Sequence, residues 1–549
     1  MRKSNKILVL CVLALVLTLL PNQASHSASL QEETGIPDFL DESRAETQAA
    51  IDVFNTEDSW PGLTMFVVTN YSLGFRNTTA AHLLFVNNQG KLVKELLVPE
   101  IRGFSDPQMI NDNTFMMQLP WLGPIYLWNL ENNTKYTIEA INGTLRGHHD
   151  VVYNPVTDTF MTIGTERVET QNTNWTVDTI WEFDWNGDLV WEWTMADWVS
   201  DYNATKCQLD EHLGFYMGTI DYSHANTIYW DFETDILYLN PRNLDNVWAI
   251  DHSSGNVLWI AGRNGNFTMY DKHGVQKESL WWHSHSFVPV SGELNKFILF
   301  DNDLHNMTAK AGHPTTFEGE DFYTSEHSRI VEVVIDPETW TMTETWSWSA
   351  PPEYYSPIWG DADRLPNGNR LGTFGSRTHR EGAIYAPPYA EGGAALIEVN
   401  EVGDIVWQLT FPTGYGIYRA RRFQPSLSLN VPMDLTCDQG INDCPGIIWT
   451  GKSIFKDYYQ ITKDGELLVK DTWTSAKIFY ELPSDLGLGT HEYTLTVVDL
   501  AGQSVSDTIK VTVEATVFEI LPTVGISVTL TIGLATVGVM ILKRKKPRT

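Results

Sequence analysis

The sequence predicts an all-β protein, a six-bladed β-propeller followed by a small immunoglobulin-like β-sandwich and one C-terminal transmembrane helix. Three observations lead there. Long stretches of helical period are absent, and short runs rich in Val, Ile, Tyr, Trp and Phe are split by Gly, Asn and Asp, as strands and turns require. One phrase, an apolar strand, an Asp/Asn/Gly turn and a strand often ending in Trp, occurs six times, starting at His82, Ile125, Ile180, Val247, Ile330 and Ala395. Near the C-terminus the style changes, and 23 uncharged residues separate Glu519 from Lys543.

The elements follow in order. Residues 1–29 read as a signal peptide: Arg2, Lys3 and Lys6 precede an apolar run from Ile7 to Leu20 that is too short to cross a membrane. Residues 30–60 form an N-terminal segment. Residues 61–427 carry the sixfold phrase, whose spacing suits four-stranded blades with variable loops; a two-sheet sandwich has no need of such a repeat. Within them a second phrase alternates with the first, a hairpin starting at Ser105, His148, His224, His285 and Gly360. In three copies a histidine opens the hairpin. Equivalent positions of successive blades are related by rotation about the axis, and the innermost strands line the channel, so His149, His224 and His285 are expected around one mouth. The stretch GIYRARRF is expected to return and close the ring.

Residues 428–516 read as the immunoglobulin-like sandwich, with alternating strands, a Gly turn and a Cys437/Cys444 pair close enough to bridge a short loop. Residues 520–542 read as the transmembrane helix and 543–549 as a basic tail that stays in the cytoplasm. The expected location is therefore the cell membrane, single-pass, with an extracellular ectodomain. Cys11 leaves with the signal, and Cys207 is expected as a buried small hydrophobe. Asn-x-Ser/Thr sequons at Asn70, Asn77, Asn132, Asn142, Asn174, Asn203, Asn266 and Asn306 fit export.

The charge balance is 37 Lys+Arg against 69 Asp+Glu, a net of -32. Eight of the basic residues sit in the two ends, so the part between them is more acidic still. Nucleic acid is excluded as a leading partner, because that binding needs basic groups to displace counterions. An anionic ligand must rest on a local cationic pocket, which salt screening over roughly 8–10 Å makes independent of distant acids.

Four chemistries compete for three converging imidazoles: metal ligation, acid/base work, nucleophilic catalysis and plain packing. They could hold zinc or copper, although none belongs to a His-Glu-x-x-His pair. A neutral imidazole is a nucleophile and a protonated one an electrostatic clamp. Arg242, just past the hairpin opened by His224, has the fork to hold an oxyanion. The set suits transfer of a small tetrahedral anion. No phosphate-cradling Gly-x-x-x-x-Gly-Lys-Ser/Thr loop is present.

An ordered series of short motifs resembles the bacterial arylsulfate sulfotransferase family over roughly residues 60–425: HHD at His148–Asp150, DYSHAN at Asp221–Asn226, Arg242, SHS at Ser284–Ser286, FDN at Phe300–Asn302, SRIVEV from Ser328, LPNGN at Leu365–Asn369 and YRA at Tyr418–Ala420. The resemblance implies a six-bladed propeller that moves a sulfuryl group from an aryl sulfate donor to a phenolic acceptor with no cofactor and no nucleotide sulfate. It also implies that His285 is the nucleophile, supported by His149, His224 and Arg242. His283 is its rival, since Ser284 stands where the family commonly has Gln. His148, His283, Asn226 and Trp282 are expected to line the substrate, with Trp281 and Trp282 free to stack on an aryl ring. The competing readings are a non-catalytic surface receptor or adhesin, and a metal-dependent hydrolase. The oligomeric state is left open.

Overall fold

A computed structural model describes residues 48, 50–71, 81–98, 106–118, 124–138, 147–170, 174–199, 219–303, 327–377, 392–430, 432–438 and 446–515. The expected signal peptide, the transmembrane run 520–542, the basic tail, Cys207 and Cys444 lie outside them. Among the described residues no helix is long and apolar enough to cross a membrane.

Six sheets follow one another along the chain, antiparallel except where Ile220–Asp221 joins the third and Thr268–Tyr270 the fifth in parallel. The first orders Tyr415–Phe423, Leu63–Asn70, Ala81–Asn87 and Leu92–Val98, so the GIYRARRF stretch pairs with the first strand of the ring. The second runs from Gln108–Met109 to Thr134–Ile138, the third from His148–Asn154 to Leu189–Thr194 and the fourth from Ala225–Asp231 to Val257–Gly262. The fifth begins at His285–Pro289 and the sixth at Asp361–Arg364. Residues of the expected N-terminal segment join this ring: Asp52–Asn55 adds an outer strand to the sixth sheet by pairing with Ile405–Phe411.

Each sheet buries both faces. Met65 and Leu83 of the first share an apolar cluster with Phe115 and Trp128 of the second, and the series continues around until Leu396 and Trp407 of the sixth meet Phe66 and Leu84 of the first. The result is an all-β, propeller-like ring whose faces are closed by burial of apolar side chains rather than by edge pairing.

Two features of the repeated phrase explain why it repeats. The Asn or Asp that ends or directly follows its first strand folds back on the turn. Asn87, Asn129, Asp184, Asp251, Asp336 and Asn400 each accept a backbone N–H two or three residues on, at 2.7–3.2 Å. That is the Asx turn, and it fixes the register of every outer hairpin. The tryptophan in the second strand ties one sheet to the next. The indole N–H groups of Trp193, Trp346 and Trp407 donate to the carbonyls of Gly255, Glu401 and Asn88 at 3.0, 2.9 and 2.9 Å, each in the outer turn of the following sheet. Burying an indole requires such a partner, and here the partner closes the ring.

Beyond residue 427, a three-stranded sheet from Ser428–Asn430 and a five-stranded sheet from Leu435–Asp438 share one apolar core of Trp449, Ile461, Trp473, Tyr493, Leu495 and Ile509. Cys437 is disulfide-bonded. Phe455 and Ala501 of this unit pack into the cluster between the first two sheets of the ring.

Candidate functional site

The inner strands of the third to fifth sheets begin with a bulge. Their ladders slip between Thr162 and Ile163, between Ala225 and Thr227, and between His285 and Val288. A bulge turns a side chain away from the strand's own alternation. The backbone records the turn: His149, His224 and Ser286 adopt φ of 63°, 47° and 56°, a region that L-residues enter at a cost and that concentrates where surroundings hold it in place. The histidines are not in one register. His285 lies opposite Phe300 as His148 lies opposite Ile163, whereas His224 stands one residue ahead of its ladder. They still converge, because the bulges swing His149 and His224 inward.

The rings of His149 and His224 meet edge to face with centroids 4.9 Å apart, and the Tyr418 ring stands 5.8 Å from His149 and 6.0 Å from His285. Tyr418 is buried with Tyr71 and Trp359, so an aromatic wall backs the imidazoles. His224 is held by the Asp221 carboxylate, which sits on its Nδ1. His285 Nδ1 lies 2.6 Å from Asn302 Oδ1. Arg242 is buried in the short turn after Ile236–Pro241, and its charge acts on His285.

These surroundings set the proton states. Burial first, then Arg242, Arg419 and His224, push the His285 imidazole well below its usual value against the opposing Asn302 bond. Burial, with the charges of His148, His224, His285 and Arg419, does the same to His149. Both rings are therefore neutral at neutral pH.

Next to Tyr418, Arg419 ties the inner strands together. It donates to Asp106 and Asp150 at 2.9 and 3.1 Å and to the Asn226 carbonyl at 2.6 Å. Arg421 reaches Asp106 and Asp363 at 3.1 and 2.6 Å. A cavity of about 450 Å³ faces Asp150, Thr227, Asp363 and Arg421, and none of the four inner histidines lines it.

The remaining predicted site residues divide. His148 sits behind His149, its Nδ1 2.6 Å from the Nδ1 of His149 and its Nε2 3.2 Å from Asp178, where it orients its neighbour. Asn226 donates to the Ser284 carbonyl at 3.0 Å and so supports the chain beside His285. His283 is fully buried beside Asp245, whose Oδ1 lies 3.8 Å from its Nδ1. Trp281 is in the core between the fourth and fifth sheets, and one face of Trp282 is taken by Arg263, 4.8 Å away. Among the described residues neither tryptophan ring is in contact with the imidazoles of His149, His224 or His285. Sequence reasoning gave no role to Tyr418, Trp359, Asp221 or Asn302, although three of them stand in the motifs YRA, DYSHAN and FDN. Among the described residues no group of three or more His, Cys, Asp and Glu is arranged to hold a metal ion.

The inner strands of this propeller-like ring thus bring two neutral imidazoles together with a buried guanidinium. A family model for arylsulfotransferase (ASST) matches residues 129–419, and the chain belongs to that family. At family level it is a sulfotransferase. No curated protein matches the chain. Among solved structures it is similar to a luciferin-regenerating enzyme (9% identity, 67% of this chain and 99% of that one, TM-score 0.30). It is also similar to a WD40 domain from fission yeast (8%, 69% and 96%, TM-score 0.27) and to fibronectin(III)-like modules of Clostridium thermocellum (15%, 16% and 98%, TM-score 0.13). Likenesses this distant carry no functional argument.

Proposed function

We propose that the protein transfers a sulfuryl group from an aryl sulfate to a phenolic acceptor through a sulfohistidine on His285, without a nucleotide donor. The carrying observation is the convergence of His149, His224 and His285 with Arg242 in a chain of the arylsulfotransferase family. Neutral His285 attacks sulfur, the sulfur–aryl oxygen bond breaks, and its electron pair leaves on the phenolate. His224, backed by the Asp221 carboxylate, gives the phenolate its proton; His149, held neutral, serves as a hydrogen-bond partner. Arg242 stabilises the sulfuryl oxygens, as electrostatic clamps do in phosphoryl transfer. A second phenol then takes the group, giving ping-pong kinetics.

In this reading the ring is a six-bladed propeller with its catalytic mouth at the histidines, and the C-terminal unit is an immunoglobulin-like stalk. A single membrane span at 520–542 holds the enzyme on the outer surface. The test is release of nitrophenol from nitrophenyl sulfate by the purified full chain, with and without a phenol acceptor and with a chelator. Release that depends on acceptor and survives chelation supports the transferase. Loss on chelation points to a metallohydrolase, and no turnover over a panel of aryl sulfates points to a receptor.

A further inference from the structure

Asn302 is fully buried and follows the strand Lys296–Asp301. Its Nδ2 donates to two backbone carbonyls of the loop entering the sixth sheet, Ser356 O and Trp359 O, both at 2.7 Å. A carbonyl can only accept, so the amide has one possible orientation, with Oδ1 toward His285. That oxygen can only accept in turn. At 2.6 Å it takes a hydrogen bond from His285 Nδ1, which must carry the proton. The lone pair of the neutral ring is then on Nε2.

We propose that Asn302 is the positioning residue of the transfer reaction: it locks His285 in the Nδ1–H tautomer, presents Nε2 as the attacking atom and, being an uncharged amide, keeps the sulfated ring cationic and ready to give up its group. The proposal rests on the sulfohistidine reading and adds a chemical reason for an amide at this place. In the first step the Nε2 lone pair forms the N–S bond while the S–O bond to the aryl group breaks. The ring keeps its Nδ1 proton and becomes an imidazolium carrying a sulfonate, neutral overall. In the second step the acceptor oxygen bonds sulfur, the N–S electron pair returns to Nε2, and the acceptor's proton passes to a neighbouring base.

A carboxylate at residue 302 changes both steps. It draws the Nδ1 proton toward itself, which leaves an uncharged ring carrying the sulfonate, anionic overall, that expels its sulfuryl group less readily. It also favours the protonated resting ring, which cannot attack. Among the described residues, the charged and titratable groups that face His285 are Arg242 after the fourth sheet's second strand, Arg419 and Tyr418 on the first sheet's inner strand, His224 ahead of the fourth and His149 at the start of the third. Asp301, next to Asn302, is engaged by Arg329 at 2.6 Å. An amide therefore keeps the immediate partner of Nδ1 free of negative charge.

The experiment compares the full chain with Asn302→Asp in the first turnover and the steady state with nitrophenyl sulfate and a phenol acceptor. In the variant the acid limb of first-turnover release is expected to move up by about one pH unit or more. Above that limb, steady-state transfer is expected to fall about tenfold or more while sulfated enzyme accumulates. An unmoved limb with an unchanged ratio of first turnover to steady state overturns the proposal. If the variant does not fold, nitrogen NMR of isotope-labelled histidines in the wild-type chain decides, with the His285 signal assigned by its loss in His285→Gln. An unprotonated Nε2 at neutral pH is the expected result, and a protonated Nε2 overturns the assignment. A wild-type enzyme that never becomes sulfated sinks the transfer reading itself, while the nitrogen measurement still decides the tautomer.

Discussion

Two imidazoles of this chain sit in opposite electrostatic settings. His285, at the inner mouth, is buried against an amide and near two arginines, and its proton affinity is pushed well down. His252, in the outer turn of the fourth sheet, is half-buried, with Glu182 and Asp235 oxygens each 3.0 Å from its ring nitrogens. Burial opposes its charge too, but the Glu182 and Asp235 carboxylates prevail and push its proton affinity up. The same side chain is thus a neutral candidate nucleophile in one place and, in the other, a tie between the third and fourth sheets whose protonated form is favoured by its carboxylate partners. At His285 burial is the largest cause, whereas at His252 two carboxylates together outweigh it.

The comparison can be broken in several places. The largest effect is expected from His285→Ala, which should lower acceptor-dependent nitrophenol release by at least about a thousandfold with the fold intact by circular dichroism. Next is Arg242→Gln. On the proposed mechanism it removes a donor to the sulfuryl oxygens and is expected to lower kcat/KM about a hundredfold. It also removes a positive charge that holds His285 down, so the acid limb of kcat/KM should move to higher pH; an unmoved limb would show that Arg242 does not act on the nucleophile. In the wild type that limb is expected below the ordinary imidazole value of about 6.5.

A structural counterpart is Arg419→Ala. It leaves Asp106 and Asp150 buried beside an empty place, and loss of about 3–5 kcal/mol in urea unfolding is expected. The smallest effect belongs to the outer imidazole. Because the folded-state affinity of His252 is raised, its contribution is present below the unfolded value of about 6.5 and is lost as pH rises through the folded value. Glu182→Gln should therefore cost less than about 1 kcal/mol after solvent screening, only on the acid side, with the pH profile of transfer unchanged.

Much of the ring was legible because its signals are local. The strand–turn–strand phrase carries its own Asx cap within two or three residues, as at Asn87 and Asp184, and the trailing tryptophan advertises a buried indole. The histidines were legible through rotation of a repeat, although the register that brings them together is not uniform. Asn302 was visible only as part of FDN. Its role depends on carbonyls 54 and 57 residues further on and on which end of an amide faces them, and no spacing rule encodes that. Tyr418 and Arg419 were likewise hidden, since they reach the site only when the chain returns to pair with Leu63–Asn70. Trp282 adjoins the histidines in sequence, and the guanidinium it meets, Arg263 on one face of its ring, was not legible there.

The central claim, that His285 carries the sulfuryl group, is tested most directly by mapping the covalent label. The full chain is incubated with an aryl sulfate bearing radioactive sulfur, quenched in base because acid cleaves such N–S bonds, and digested. The account predicts label on the peptide carrying His285, retained in His283→Ala and absent in His285→Ala. Label that survives in His285→Ala, or that disappears in a folded His283→Ala, contradicts it.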